Sequence, residues 1–408
     1  MASGFAIDEQ DPVSLATALA GRAALGDDPN TAFYNPAGMT RIRAAAGAAS
    51  AMYIRPSARF HDRGSTLGGA PLTGGGGGDA GKGAVVPAVY LVLPLDERWR
   101  LGFAANAPFG LGSEYDGDWV GRYHTIKADL VTINLNPSVA FRVSPTLSIG
   151  AGASFQYLDV ELINAVDLGS LLGAPQGIDG RATLSGTSWG TGYNFGVLYE
   201  PSPRLRIGLT YRSRVLHTID GKADFVVPPA AAALTAAGLF LNTGAHAKVD
   251  LPETASLSGH FELNDRWAVL GDMTYTRWSR IRALDVSFDN PLQPPLTENL
   301  EWRDTLRVSV GAIHRLSDRW KALGGIAIDP SPVSAQYQRP RLLVGDRVLV
   351  GTGLSYSIGA GVEIAAAYMH SFSESVRMNL PQPTASGNLV GDVDLSADLF
   401  SLRGLVRF

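Results

Sequence analysis

One short turn recurs along the chain and limits what the rest can be. Leu95-Asp-Glu-Arg-Trp-Arg-Leu-Gly102, Val143-Ser-Pro-Thr-Leu-Ser-Ile-Gly150, Pro201-Ser-Pro-Arg-Leu-Arg-Ile-Gly208, Leu263-Asn-Asp-Arg-Trp-Ala-Val-Leu270 and Leu316-Ser-Asp-Arg-Trp-Lys-Ala-Leu323 follow one plan. A polar turn is followed by Trp or Leu and then by an alternating strand. Successive copies lie about 50–60 residues apart, with a long variable loop between each pair. Tight turns at one end and long loops at the other are the hairpin rhythm of an outer-membrane barrel. The Trp or Leu after each turn suits an interfacial aromatic girdle. A large soluble β-sandwich shares the alternation but does not explain loops so unequal at the two ends.

Fourteen alternating segments are predicted, at about 44–60, 83–95, 98–108, 125–143, 146–162, 187–200, 204–219, 248–262, 267–285, 298–315, 320–329, 347–356, 361–378 and 393–408. An even number suits a closed antiparallel barrel, in which every backbone group pairs and no edge faces lipid. No run of about 18 apolar residues exists, so helical spans are excluded. Charged residues are only 18% of the chain, as expected where lipid-facing and lumen-facing residues interleave. In the last strand Phe400, Leu402, Gly404, Val406 and Phe408 form the lipid face. Ser401, Arg403 and Arg407, with Leu399 and Leu405, form the lumen face. A net charge of −4 argues against nucleic acid as a partner, and the absence of cysteine excludes thiolate and disulfide chemistry. The sequence after Met1, Ala-Ser-Gly-Phe, has neither a basic nor an apolar leader region. For a protein of the bacterial outer membrane, this numbering is expected to start at the mature end.

The first 42 residues differ from the rest. Asp11-Pro12, Asp28-Pro29 and Asn35-Pro36 each place an N-cap acceptor before a proline at the first helical position. Three short helices are therefore expected at the head of a β protein. Residues 1–42 are read as a hatch plugging the lumen, and residues 43–408 as the barrel.

The third strand is irregular. Asn106, Ala107, Pro108, Phe109 and Gly110 stand where a wall strand should continue, yet Pro108 has no N–H for the ladder. Two readings stay open: the strand ends early, or it kinks and opens the wall as a lateral gate. The loops near 162–172 and 229–241 are expected to carry apolar helices bearing Leu168, Leu171, Leu172, Leu234, Leu239, Phe240 and Leu241. They read as a lid or as a greasy docking groove.

Catalytic chemistry is not apparent. The seven histidines have no metal-ligand spacing, and no nucleophile elbow or zinc motif occurs. The glycine run 74–78 and Gly190-Thr-Gly-Tyr-Asn-Phe-Gly196 lack the strand–helix context of a phosphate loop. No cofactor or metal is expected. The rival classes are a barrel enzyme and a structural or adhesive barrel.

Several stretches then become specific. Ser3-Gly-Phe-Ala-Ile-Asp-Glu-Gln10, Gly21-Arg-Ala-Ala-Leu-Gly-Asp-Asp28 and Asn35-Pro-Ala-Gly-Met39 resemble the N-terminal hatch of the FadL-type long-chain fatty-acid and hydrocarbon transporters. Asn35, Pro36 and Ala37 are the most specific part. Ala107-Pro-Phe-Gly110, Leu251-Pro-Glu253, Trp302-Arg-Asp304, Asp329-Pro-Ser-Pro-Val333 and Tyr368-Met-His370 extend the resemblance over the chain. It implies a fourteen-stranded outer-membrane barrel with a hatch, set in outer-membrane lipid and lipopolysaccharide and acting as a monomer. Long-chain fatty acids are the implied ligands, with aromatic or alkane hydrocarbons as the alternative. The implied route starts in a groove between the loops at 162–186 and 220–247. It passes an interior pocket at Phe5 and Ile7 and leaves sideways through the third-strand kink, by diffusion alone. Arg303 matches a position where the family can place a basic residue near the pocket. Pairing with a ligand carboxylate and pairing with a lumen carboxylate both remain open for it.

Overall fold

The alternation has one stable outcome: a sheet closed on itself. The computed structural model describes residues 4–359, 361–380 and 386–408. Met1 to Ser3 of the expected hatch lie outside the described residues. Fourteen antiparallel strands run β1 Ala46–Asp62, β2 Ala84–Pro94, β3 Trp99–Asn106 continuing as Gly110–Glu114, β4 Lys127–Ser144, β5 Leu147–Asp167 and β6 Asp179–Ser202. They continue as β7 Leu205–Arg212 with Val215–Val226, β8 Thr243–Leu251 with Thr254–Glu262, β9 Trp267–Thr276 with Ala283–Phe288, and β10 Leu296–Asn299 with Thr305–Arg315. The last four are β11 Trp320–Asp329, β12 Arg347–Ile358, β13 Val362–Ser373 with Val376–Leu380, and β14 Leu389–Arg407. Each strand pairs with its neighbours in sequence, and β14 closes the barrel on β1 from Ala46↔Arg407 to Asp62↔Gly391.

The two faces separate as the alternation requires. Phe400, Leu402 and Val406 face outward, whereas Ser401, Arg403 and Leu405 are buried inside. Arg407 is exposed at the tight-turn end but keeps to the lumen side, where its Nη2 donates to the carbonyl of Asp27 in the hatch at 3.3 Å. Trp99, Trp267 and Trp320, each the first strand residue after a recurrent turn, lie on the outer face. They stack on Phe141, His314 and Tyr356 at 4.6, 4.0 and 4.6 Å. One end of the barrel thus carries an aromatic band.

The hatch fills the lumen at that same end. Its helices are α1 Pro12–Ala16, α2 Thr31–Tyr34 and a 3₁₀ turn, Pro36–Arg41. Asp11 caps α1 as its spacing predicts, accepting from Val13 N at 2.8 Å and Ser14 N at 3.3 Å. Asn35 caps the 3₁₀ turn through Ala37 N at 3.1 Å. The middle pair behaves differently: Asp28 accepts from Asn30 N at 3.0 Å in a turn, and α2 starts only at Thr31. Proline at 29 fits that turn as well as a first helical position.

Contact between hatch and wall requires small wall residues. A Cβ on Gly196 of β6 would lie 1.9 Å from Asn35 Oδ1, and one on Gly351 of β12 would lie 2.3 Å from the carbonyl of Leu15. The 190–196 glycine run is therefore hatch-docking surface at Gly196. Charge fastens the plug further. Asp8 is held by Arg22 at 3.4 Å and Arg307 at 2.6 Å, and these neighbours keep its carboxyl below the usual carboxylate range despite burial. Arg403 reaches from β14 to Asp28 and Glu363.

The expected loop helices are shorter than predicted. The alternation of β5 continues to Asp167, so only Leu168–Leu171 is helical there. In the later loop the helix covers Ala232–Ala236, after a 3₁₀ turn.

Candidate functional site

The amide-rich lumen becomes apolar above the hatch. Inward residues of β4 run Asn136, Asn134, Thr132 and then Leu130; those of β5 run Ser154, Gln156 and then Leu158. The hatch tip, Phe5, meets this greasy zone. Its ring lies 5.6 Å from Phe109, 5.5 Å from Trp278 and 5.8 Å from Trp302. Beyond it is an inner cavity of about 240 Å³, lined by Phe5, Leu130, Val160, Leu216, Ile219, Ile281 and Trp302.

Three of the charged groups lining that cavity cluster together. Glu298 forms ion pairs with both arginines, 2.8 Å from the Nε of Arg339 and 3.4 Å from the Nε of Arg341. Arg341 also donates to the carbonyl of His124 at 2.9 Å. Two guanidiniums thus share one carboxylate beside an apolar volume. Trp302 Nε1 is buried with no hydrogen-bond partner among the described residues. Burial holds His124 down to about 4, so the imidazole beneath Arg341 is neutral at ordinary pH.

The third strand stops at Asn106 and resumes at Gly110. β3 pairs with β2 from Pro94↔Arg100 to Val89↔Ala105. Residues 107–109 then turn inward to the hatch. Ile7 N donates to Pro108 O at 2.8 Å, and Gly110 N donates to Phe5 O at 2.9 Å. Gly110–Glu114 resumes on β4 alone, so Ala84–Ala88 of β2 face no partner on that side. Above, a bridge between Gly81 and Ser113 closes the break. The result is a framed gap in the wall. Behind it lies a second cavity of about 750 Å³, lined by Ile7, Glu9, Val86, Ala107, Phe109 and Gly110 among others. Leu111 and Leu130 line both cavities and form their shared partition.

The remaining expected site residues are placed as follows. Phe5 lines the inner cavity and Ile7 the second. Asn106 is buried and accepts from Asn134 at 3.0 Å. Leu168 is buried against Gly180, while Leu171, Leu172 and Leu241 are exposed. Leu234 and Leu239 are half-buried; Phe240 packs edge-on against Phe225 at 5.7 Å. None of these loop residues lines either large cavity. Arg303 lies in a break of β10, exposed and outside both cavities, with its N–H on Pro332 O at 2.8 Å. Its neighbour Asp304 ties that break instead, accepting from Ser279 N at 2.9 Å and Tyr275 Oη at 2.5 Å. Glu253 of the Leu-Pro-Glu stretch clamps Arg277 at 3.2 Å and Arg280 at 2.8 Å. Sequence reasoning missed Arg339, Arg341, Glu298 and Glu9. Arg339-Pro-Arg341 between two strands was the available signal.

The whole chain, residues 1–408, matches the family described as outer membrane protein transport protein (OMPP1/FadL/TodX). A long-chain fatty acid transport protein of Escherichia coli O6:H1 is 30% identical over 394 residues, spanning 90% of this chain and 87% of that protein. The crystal structure of a Pseudomonas aeruginosa FadL homologue shares the fold at a TM-score of 0.93, with 24% identity over 99% of this chain and 100% of that one. The Pseudomonas putida toluene transporter TodX shares it at 0.72, with 15% identity over 96% and 98%. The chain belongs to the OMPP1/FadL/TodX family, whose members are outer-membrane transport proteins for hydrophobic compounds.

Proposed function

We propose that this protein takes up long-chain fatty acids by passive diffusion through a broken path. Exposed Leu171, Leu172 and Leu241 form the first sticking surface. The ligand then enters the inner cavity with its chain against Leu130, Val160 and Phe5, each buried methylene contributing about 0.8 kcal/mol. It crosses the Phe5–Phe109–Leu111 partition into the second cavity and leaves sideways between β2 and the resumed β3. The outer membrane receives it directly, so no aqueous lumen is crossed and no energy source is needed.

The observation that supports the acid reading is the Arg339–Glu298–Arg341 cluster, in a cavity whose lining also holds Lys222, Lys248 and Arg280 against Asp250, an excess of cations over carboxylates. A second anionic group is what two guanidiniums sharing one carboxylate lack. The aromatic ring of Phe5, Phe109, Trp278 and Trp302 favours the second reading, a neutral aromatic hydrocarbon. Equilibrium binding to the purified protein separates the two. A fatty acid should bind at least about tenfold tighter than its methyl ester, and Arg339→Gln with Arg341→Gln should erase that difference. Equal binding of acid and ester in the wild type, with tighter binding of toluene, refutes the acid reading.

A further inference from the structure

The two cavities carry opposite charge. Arg339 and Arg341 line the first. The second is lined by Asp129, Asp159 and Glu161 near its outer rim, where Lys82 and Lys127 neutralise only part of the acid. Deep in this cavity sits Glu9, 2% exposed. It makes no ion pair among the described residues. Its neighbour Asp8 takes both Arg22 and Arg307. Arg347, the cation lining the same cavity, is committed to Asp329 through its Nε at 2.9 Å. A carboxylate ligand leaving the arginines therefore meets an acidic cavity, and beyond it a hydrocarbon layer that rejects charge.

We propose that Glu9 is the proton donor that converts the ligand carboxylate to the neutral acid before lateral exit. This rests on the fatty-acid reading above. The O–H bond of the Glu9 carboxyl breaks, and the proton bonds to a ligand carboxylate oxygen. Glu9 is left as a carboxylate within the field of Arg347 and Arg307, with Asp8 and Asp329 opposing. A proton from external water restores it through the Lys82–Asp129–Glu161 rim, where these side chains are part-exposed. One proton thus accompanies each ligand. Burial, opposed by Arg347 and Arg307 and reinforced by Asp8, raises Glu9 above the usual carboxylate range, the direction a proton donor needs.

The test uses Glu9→Gln, which keeps shape and hydrogen bonding but donates no acidic proton. The full-length protein is expressed in outer membranes of cells lacking their own transporter, and equal amounts of folded barrel are verified by heat-modifiable gel mobility. Uptake of a labelled long-chain fatty acid is compared with that of the fatty alcohol of equal chain length, between about pH 5.5 and about pH 7.5. In the variant, acid uptake should follow the neutral fraction in solution, falling about tenfold per pH unit, while the wild type stays flatter. Alcohol uptake should match between the two proteins at every pH. An equal loss of acid and alcohol in Glu9→Gln overturns the proposal by showing a structural role. An unchanged acid profile overturns it as well. If the wild type carries the alcohol but no acid, the fatty-acid reading itself fails and takes the proposal with it.

Discussion

Phe5→Ala separates the hatch tip from the rest of the plug. Phe5 is 6% exposed and touches three aromatic rings between 5.5 and 5.8 Å. Truncating a buried phenylalanine typically costs about 3–5 kcal/mol. That loss falls on a short segment, because residues from Asp8 onward keep the ion pairs to Arg22 and Arg307. The barrel ladders are untouched. The expected effect is therefore local opening, not global unfolding. A loss of about 3 kcal/mol raises the open population of the tip about 150-fold. Amide hydrogen exchange reports this directly, since Ile7 N–H and Gly110 N–H are bonded across the hatch–strand bridge. Both should lose about two decades of protection, while amides in β12 and β13 keep theirs. Ligand affinity should drop as well, because Phe5 lines the inner cavity. Protection of Ile7 and Gly110 within about twofold of wild type would refute the claim that the aromatic cluster holds the tip.

Other expectations follow from the same contacts. Replacing residues 106–110 by a regular strand sequence should seal the gap, leaving ligand binding intact while uptake into cells falls to background. Gly196→Ala places a methyl against Asn35 Oδ1 and should loosen the 3₁₀ turn, read as faster exchange at Ala37 N–H and higher single-channel conductance. His124 has its folded value depressed to about 4, so the unfolded loop binds more protons between that value and about 6.5. The packing of loop 115–126 on Arg341 should be full above about pH 6.5 and weaken as pH falls toward 4, and His124→Gln should remove that dependence in loop-directed proteolysis. Asp8, by contrast, is held below the usual range by Arg22 and Arg307. Its contribution is present above the unfolded carboxylate range and persists through mild acid, so hatch exchange should be flat there for wild type and faster for Asp8→Asn.

The barrel was legible because membrane strands leave little choice. A lipid-facing position cannot be polar for long, and a tight turn between alternating runs cannot be anything but a hairpin. The recurrent turns therefore located strand ends within a few residues, and Trp99, Trp267 and Trp320 marked the aromatic band. Outward of the lumen breaks the alternation carried less information. The run after Leu162 reads as an amphipathic helix or as a strand with equal ease, and the ladder to β6 decides for strand as far as Asp167. Asp28-Pro29 failed as a helix start for a similar reason, since an acceptor before proline serves an N-cap and a turn alike.

The site was less legible because its parts come from separate strands and loops. Arg303 sits beside Trp302 in sequence, yet both lie in the break of β10, where no strand period applies; the indole lines the cavity and the arginine is exposed outside it. Arg339 and Arg341, which do line it, come from the loop between β11 and β12, irregular enough that no period predicts their direction. The greasy zone had a signal all the same. On β4 the inward residues pass from Asn134 through Thr132 to Leu130, and on β5 from Gln156 to Leu158, in register across the pair. A lumen face that changes from amide to aliphatic at one level on adjacent strands marks the height at which water gives way to an apolar ligand. Phe5 lies against that apolar zone, in a hatch that is also fastened by ion pairs and amide hydrogen bonds and by the packing of Leu15 and Leu19 on Met52 and Leu349. The break in β3 is tied to that apolar tip through Pro108 and Gly110. Under the route proposed above, ligand in the inner cavity should therefore change the protection of the Ile7 and Gly110 amides, and equal exchange with and without ligand would refute a link between the first cavity and the break in β3.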